Sequence, residues 1–148
     1  MFVVDTNVLV YAANEDCIEH PVCRRLVESW RTSSLPWYLT WSIAYEFLRV
    51  TTHPRIFPNP WLVTDTWAFL AGLTDSPGLR FLVQGRRHMR IAEMTLKELP
   101  DLQGNLLHDS HTALLMREHG IRRIYTRDTD FHRFPFLEII DPMREQPR

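Results

Sequence analysis

Four carboxylates are distinguished by where they fall in the apolar pattern of the chain: Asp5, Glu46, Asp109 and Asp128. Asp5 directly follows the apolar run Phe2-Val3-Val4, and Asp128 follows Ile124-Tyr125 after two polar residues. Both therefore fall near the carboxyl ends of expected strands, where open parallel sheets bind their ligands. Each also has a local reading, because Asp is a favoured cap of a helix or turn. Glu46 shares a helical face with Ile43, Phe47 and Val50. That face is expected to point at the sheet, where a carboxylate needs a partner, either an arginine such as Arg49 or a cation. Asp109 lies in the first turn of another expected helix, with Ala113 and Met116 on its face; the helix macrodipole alone would also favour an acid there.

Taken together, two acids at strand ends and two on inward helical faces can converge in one crevice. Crowded carboxylates repel and are driven toward protonation. A hard divalent cation removes the conflict, since Mg²⁺ or Mn²⁺ favours oxygen ligands and is readily completed by waters and phosphate oxygens. Such a cation can activate a water for in-line attack on phosphorus. The chemistry implied is phosphodiester hydrolysis.

Positioning these acids requires strands that alternate with helices. Five short apolar runs are candidate strands: Phe2–Val4, Trp37–Leu39, Phe81–Val83, Ile124-Tyr125 and Leu137–Ile140. Between them, Ile18, Val22, Leu26 and Trp30 recur at helical spacing and predict a helix over 18–31. Further helices are expected over 6–13, 41–52 (stopped by Pro54), 62–74, 86–99 and 107–119, the last ending at Gly120. The stretch from Pro54 to Pro60, with three prolines, reads as a loop and not a linker. Strands joined by helices of this length imply right-handed crossovers and a largely parallel sheet covered on both faces. The expectation is one α/β domain over residues 1–148.

At these same residues the chain resembles the PIN-domain nucleases, and within them the VapC-type toxins of bacterial toxin–antitoxin pairs. Val4-Asp5-Thr6-Asn7-Val8-Leu9 is similar to the first acidic motif of that family, and Glu46 within Ala44-Tyr45-Glu46-Phe47-Leu48-Arg49 to the second. Asn105 to Ala113, around His108-Asp109-Ser110-His111, resembles the third, and Thr126-Arg127-Asp128-Thr129-Asp130-Phe131 the fourth. The stretch from Val50 to Pro58 is similar to a loop of one VapC subgroup. The resemblance covers essentially the whole chain. It implies a three-layer α/β/α fold with a mostly parallel sheet of about five strands. It further implies an endoribonuclease dependent on Mg²⁺ or Mn²⁺, with Asp5, Glu46, Asp109 and Asp128 as metal-binding catalytic acids. Asp130 matches a position that is often acidic but less essential, and Asn7 and Thr126 match supporting polar residues. A homodimer, a VapB-like antitoxin that inhibits by occupying the groove near the site, and an RNA substrate are implied in the same way.

Composition sets the outer bounds. The 148 residues carry 17 Lys+Arg against 18 Asp+Glu, so any contact with nucleic acid must come from a local patch and not from a global field. Lys97 is the single lysine, and the arginine excess fits either phosphate recognition or a coding bias. Arg86, Arg87, His88 and Arg90 form one basic cluster, and Arg122, Arg123 and Arg127 another; Arg86, Arg87 and Arg127 are the candidates for contact with RNA phosphates, against a reading as solvated surface. His108 and His111 lack the accompanying thiolates that would argue for zinc. Cys17 and Cys23 match no metal or redox signature. The tryptophans are expected mainly in the core, with some of Trp37, Trp41, Phe57, Trp61 and Trp67 open to a role in a dimer or antitoxin groove. No signal-peptide core or bilayer-length apolar stretch is present, so a cytoplasmic protein with no membrane partner is expected.

Three other functions compete with the ribonuclease. Asp128-Thr129-Asp130 after an apolar strand fits the phosphoryl-accepting pair of a haloacid-dehalogenase-like phosphatase, but too little chain follows to hold the later motifs. A protein that binds RNA or a partner without cutting is the second; its phosphorylation-receiver version lacks a lysine in suitable context. The third is a PIN nuclease of general RNA processing that has no antitoxin.

Overall fold

The computed structural model describes residues 1–144. Five strands form one sheet in the order β3-β2-β1-β4-β5: β1 (Phe2–Val4), β2 (Trp37–Thr40), β3 (Leu79–Leu82), β4 (Arg123–Tyr125) and β5 (Glu138–Ile140). Every pairing is parallel, with Val3 opposite Tyr38 on one side and Ile124 on the other. The central strands are apolar on both faces because both faces are covered, and Val3, Val4, Trp37, Leu39 and Ile124 are fully buried.

Six helices supply the cover: α1 (Thr6–Ala13), α2 (His20–Thr32), α3 (Trp41–Thr52), α4 (Val63–Thr74), α5 (His88–Glu98) and α6 (Leu106–His119). α1 packs on α2 and α3, α3 packs on α4, and α5 packs on α6. Right-handed crossovers place the first four on one face of the sheet and the last two on the other, giving the expected three layers. The sheet is parallel throughout, not merely in most of its pairs. The helix expected from residue 18 begins at His20, with Pro21 in its first turn, and Ile18 lies outside it and exposed. The helix expected over 86–99 is shorter, His88–Glu98. α6 stops where Gly120 takes a left-handed conformation, φ 70°, that lets its N–H reach back to the last carbonyls.

The strand order reverses direction at β1. One connection leaves β1 toward β2, while β4 arrives on its other side from the far edge of the sheet. The crevice above the carboxyl ends of β1 and β4 is thus the switch point of the sheet. Among the described residues no helix is long and apolar enough to cross a membrane.

Candidate active site

Asp5 leaves β1 at this switch point and is 8% exposed. Each of its oxygens is engaged. Oδ1 accepts from the Thr6 backbone N–H at 2.8 Å, which caps α1, and Oδ2 accepts from Asn7 Nδ2 at 2.8 Å and from Thr126 Oγ1 at 2.6 Å. Thr126, fully buried just beyond β4, ties the two strand ends together: its hydroxyl also takes a bond from Asn7 Nδ2 at 3.0 Å and from the Asp128 N–H at 2.9 Å. Burial pushes the Asp5 carboxyl up to about 6, against the pull of its Thr126 and Thr6 hydrogen bonds, with the charges of Asp128 and Glu46 adding to the rise.

Asp128 begins a 3₁₀ turn over Thr129–Arg133, and its Oδ1 accepts from the Asp130 N–H at 2.9 Å. That turn swings Asp130 back toward the first turn of α6. As a result, Asp109, Asp128 and Asp130 each offer a carboxylate oxygen within 4.8 Å of the other two. Burial, followed by the charges of Asp128, Asp5, Asp130 and Glu46, pushes the Asp109 carboxyl up to about 7. Three hard oxygen donors this close, with one of them forced toward protonation, match what a small divalent cation requires, and a cation there would reverse the direction of that shift. Capping and cation binding are not alternatives at Asp5 and Asp128, since both residues cap a turn while lining the same cavity.

That cavity, about 770 Å³, is walled by Asp5, Glu46, Asp109, Asp128 and Asp130, with Ser42, Tyr45 and Arg49 from α3 and with Asn105 and His108 at the start of α6. Glu46 corrects the sequence-based expectation. Its side chain is 51% exposed and does not point at the sheet. The buried stripe of α3 is Ile43, Ala44, Phe47 and Thr51, and a one-residue step of about 100° carries Glu46 from that stripe to the cavity rim. There it meets Thr6 Oγ1 at 3.3 Å and Arg49 Nη2 at 3.4 Å, so the arginine partner is present as well.

The basic candidates are placed elsewhere. Arg127 pairs through Nη1 with Glu19 and through Nε with Asp141 at 3.4 Å, bracing the start of α2 against the end of β5. Arg87 donates to the Glu118 carbonyl at 2.6 Å, and His88 meets the Glu118 carboxylate at 2.9 Å, while Arg86 is exposed before α5. Arg86, Arg87 and Arg127 are absent from the lining of the acid-walled cavity. His111 turns away from the acids, its ring nitrogens engaged with Ser42 and Gln84, both at 3.2 Å. Trp37 and Phe57 are core residues, whereas Trp41 and Trp67 are about half exposed. The sequence reading missed Ser42 and Tyr45 as cavity residues, and foresaw Arg49 only as a partner of Glu46. Their signal was available in helical spacing: Ser42 and Arg49 lie four and three residues from Glu46, and Tyr45 lies three and four from Ser42 and Arg49.

Comparison with known proteins agrees with this fold. The PIN domain family matches residues 2–137. The chain is 30% identical to Ribonuclease VapC48 of Mycobacterium tuberculosis over 93% of its length and 94% of the relative. It is 32% identical to Ribonuclease VapC43 of the same organism, over 99% and 98% of the two chains. In structure it resembles Mycobacterium tuberculosis VapC20, a sarcin–ricin-loop-cleaving toxin, with a TM-score of 0.63 at 17% identity over 89% of this chain and 93% of that one. The chain belongs to the PIN domain family, among its VapC-type members.

Proposed function

We propose that this protein is the toxin of a toxin–antitoxin pair, an endoribonuclease that hydrolyses RNA phosphodiester bonds with Mg²⁺ or Mn²⁺. The observation that carries the reading is the convergence of Asp109, Asp128 and Asp130 within 4.8 Å in a cavity that Asp5 and Glu46 also wall. Asp109, Asp128 and Asp130 hold the cation, with Asp5 and Glu46 completing the acidic wall. When bound, the cation supplies charge neutralisation at phosphorus and a more acidic water. The chain's own residues do the rest. Thr126 and Asn7 fix the Asp5 carboxylate in one orientation, while the Thr126 hydroxyl sets the start of the turn that aims Asp128 and Asp130. Glu46 stands at the rim, where substrate enters. Hydrolysis adds water across one P–O ester bond, leaving a phosphate on one RNA end and a hydroxyl on the other.

Residues 1–148 act as one PIN domain in this reading, paired as a homodimer in the cytoplasm and restrained by a VapB-like antitoxin. The test is incubation of total RNA with the purified chain, with EDTA and Asp5→Asn as controls. Discrete fragments that require Mg²⁺ or Mn²⁺ and disappear in the variant are expected. Cleavage that survives EDTA or Asp5→Asn, or folded protein that binds RNA without cutting, would overturn the catalytic assignment.

A further inference from the structure

Five residues of α3 line the cavity, and four of them, Ser42, Tyr45, Glu46 and Arg49, have the spacing of a single helical stripe, with the buried Ile43 beside it. Glu46 belongs to the acidic wall, but Tyr45 and Arg49 are unexplained by cation binding. Tyr45 is 64% exposed, and its ring lies tilted against the Trp41 ring, at 6.4 Å between centroids. Arg49 is the one arginine or lysine among the residues lining this cavity. Its side chain is 60% exposed and is held by a single 3.4 Å contact to Glu46, which leaves most of its five N–H donors available. Arg87 and Arg127 are bonded to partners outside the cavity.

A polyanion entering a cavity walled by five carboxylates meets repulsion that one divalent cation only partly offsets. A guanidinium at the rim supplies the missing positive charge, in a planar fork suited to phosphate oxygens. One helical turn away, an exposed aromatic ring offers a stacking face of the kind that holds unpaired bases. We propose that Tyr45 and Arg49 form the track of the substrate strand: Arg49 grips a backbone phosphate flanking the scissile bond, and Tyr45 stacks on a neighbouring unpaired base. The inference rests on the ribonuclease reading above and specifies a single-stranded segment of the RNA.

The experiment measures binding of a fluorescent, mixed-sequence single-stranded oligoribonucleotide to the full chain in Mg²⁺ over a salt series. An Asp109→Asn background suppresses cleavage, and the parent is assayed for cleavage in parallel. Arg49→Ala is expected to lower the slope of log K against log salt by about 0.7, the share of one phosphate in a single strand, while Arg49→Lys keeps it. Tyr45→Ala is expected to weaken binding about 5- to 150-fold, and Tyr45→Phe to leave it within about twofold, because the ring and not the hydroxyl stacks. Unchanged slope and affinity in Arg49→Ala and Tyr45→Ala, with a parent that cleaves, overturn the track and leave the ribonuclease standing. A parent that neither binds nor cleaves RNA removes both readings. Tyr45→Ala that alters the assembly state by light scattering while sparing RNA affinity would assign this face to a protein interface, which also overturns the track.

Discussion

The two walls of the acidic cavity are built on opposite principles. On the β1 side, both oxygens of Asp5 have partners, and the donors come from residues as far apart in sequence as Thr6 and Thr126. On the α6 side, Asp109 lies within 4.8 Å of Asp128 and Asp130, and partial burial, followed by their like charge, drives its carboxyl toward protonation. The first wall is a hydrogen-bonded brace, and the second is a crowd of partly desolvated like charges, which a bound cation would relax. In the proposed ribonuclease the difference separates two contributions of acids to one site: Asp5 would contribute position and Asp109 affinity for positive charge.

The largest effect should come from removing the repulsive wall. Asp109→Asn is expected to reduce RNA cleavage about 1000-fold, the cost of losing several kcal/mol of charge stabilisation at roughly 1.4 kcal/mol per tenfold. In EDTA at neutral pH the same variant should melt higher than the parent, because it deletes a half-buried charge that its neighbours oppose. Asp5→Asn should also abolish cleavage but melt lower. Its amide would set a donor against a donor of Thr6, Asn7 or Thr126, a loss of about 1–3 kcal/mol. Thermal melts of both variants in EDTA check the opposite signs, and equal shifts of one sign would erase the distinction between the walls.

Thr126→Val cuts the link between the walls. The variant keeps the shape but loses the hydroxyl that Asp5, Asn7 and Asp128 share. Supporting partners of metal ligands typically contribute 10- to 100-fold, so a fall of about that size in cleavage rate is expected, with weaker Mn²⁺ affinity measured by calorimetry. Glu46→Gln touches neither wall's interior. With its side chain half exposed and its Arg49 contact long, the substitution should leave the melting temperature within about 2 °C, as surface changes do. Cleavage should fall only about tenfold, less than for Asp5 or Asp109.

How much of this was legible in the sequence follows from the range of each interaction. Asp5, Asp109 and Asp128 were readable because a strand end or a helix start is a local pattern, and the sheet brings such ends together. The exposure of Glu46 was not, because a stripe that includes its immediate neighbour Phe47 blurs inward and rim positions that differ by one step of the helix. Asp130 looked secondary until the 3₁₀ turn placed it beside Asp109. Arg127 looked available for phosphate because its partners, Glu19 and Asp141, lie across the fold and outside any motif. Cap, strand and helix signals are written within a few residues, whereas the pairing of charges is decided by packing.

The dependence of stability on pH is the most direct measure of the repulsive wall. The Asp109 and Asp5 carboxyls titrate near 7 and 6 in the fold, above their ordinary 3.8. Between about pH 4 and 7 the folded chain therefore holds more protons than the unfolded chain. Its stability in EDTA should fall as pH rises through that window. A divalent cation competes with those protons, so it must displace them at pH 5 but finds the acids ionised at pH 7.5. At a hundredfold excess over Kd, Mn²⁺ adds about 2.7 kcal/mol, which for a chain of this size corresponds to a rise of about 5–10 °C at pH 7.5. At pH 5 the same Mn²⁺ concentration should raise the melting temperature by less than about 2 °C, because proton displacement consumes most of the gain. Asp109→Asn should flatten the pH dependence and remove most of the Mn²⁺ response, whereas Glu46→Gln should preserve both. Equal Mn²⁺ shifts at the two pH values would mean that the cation binds away from these acids and that the crowding of Asp109 serves no metal.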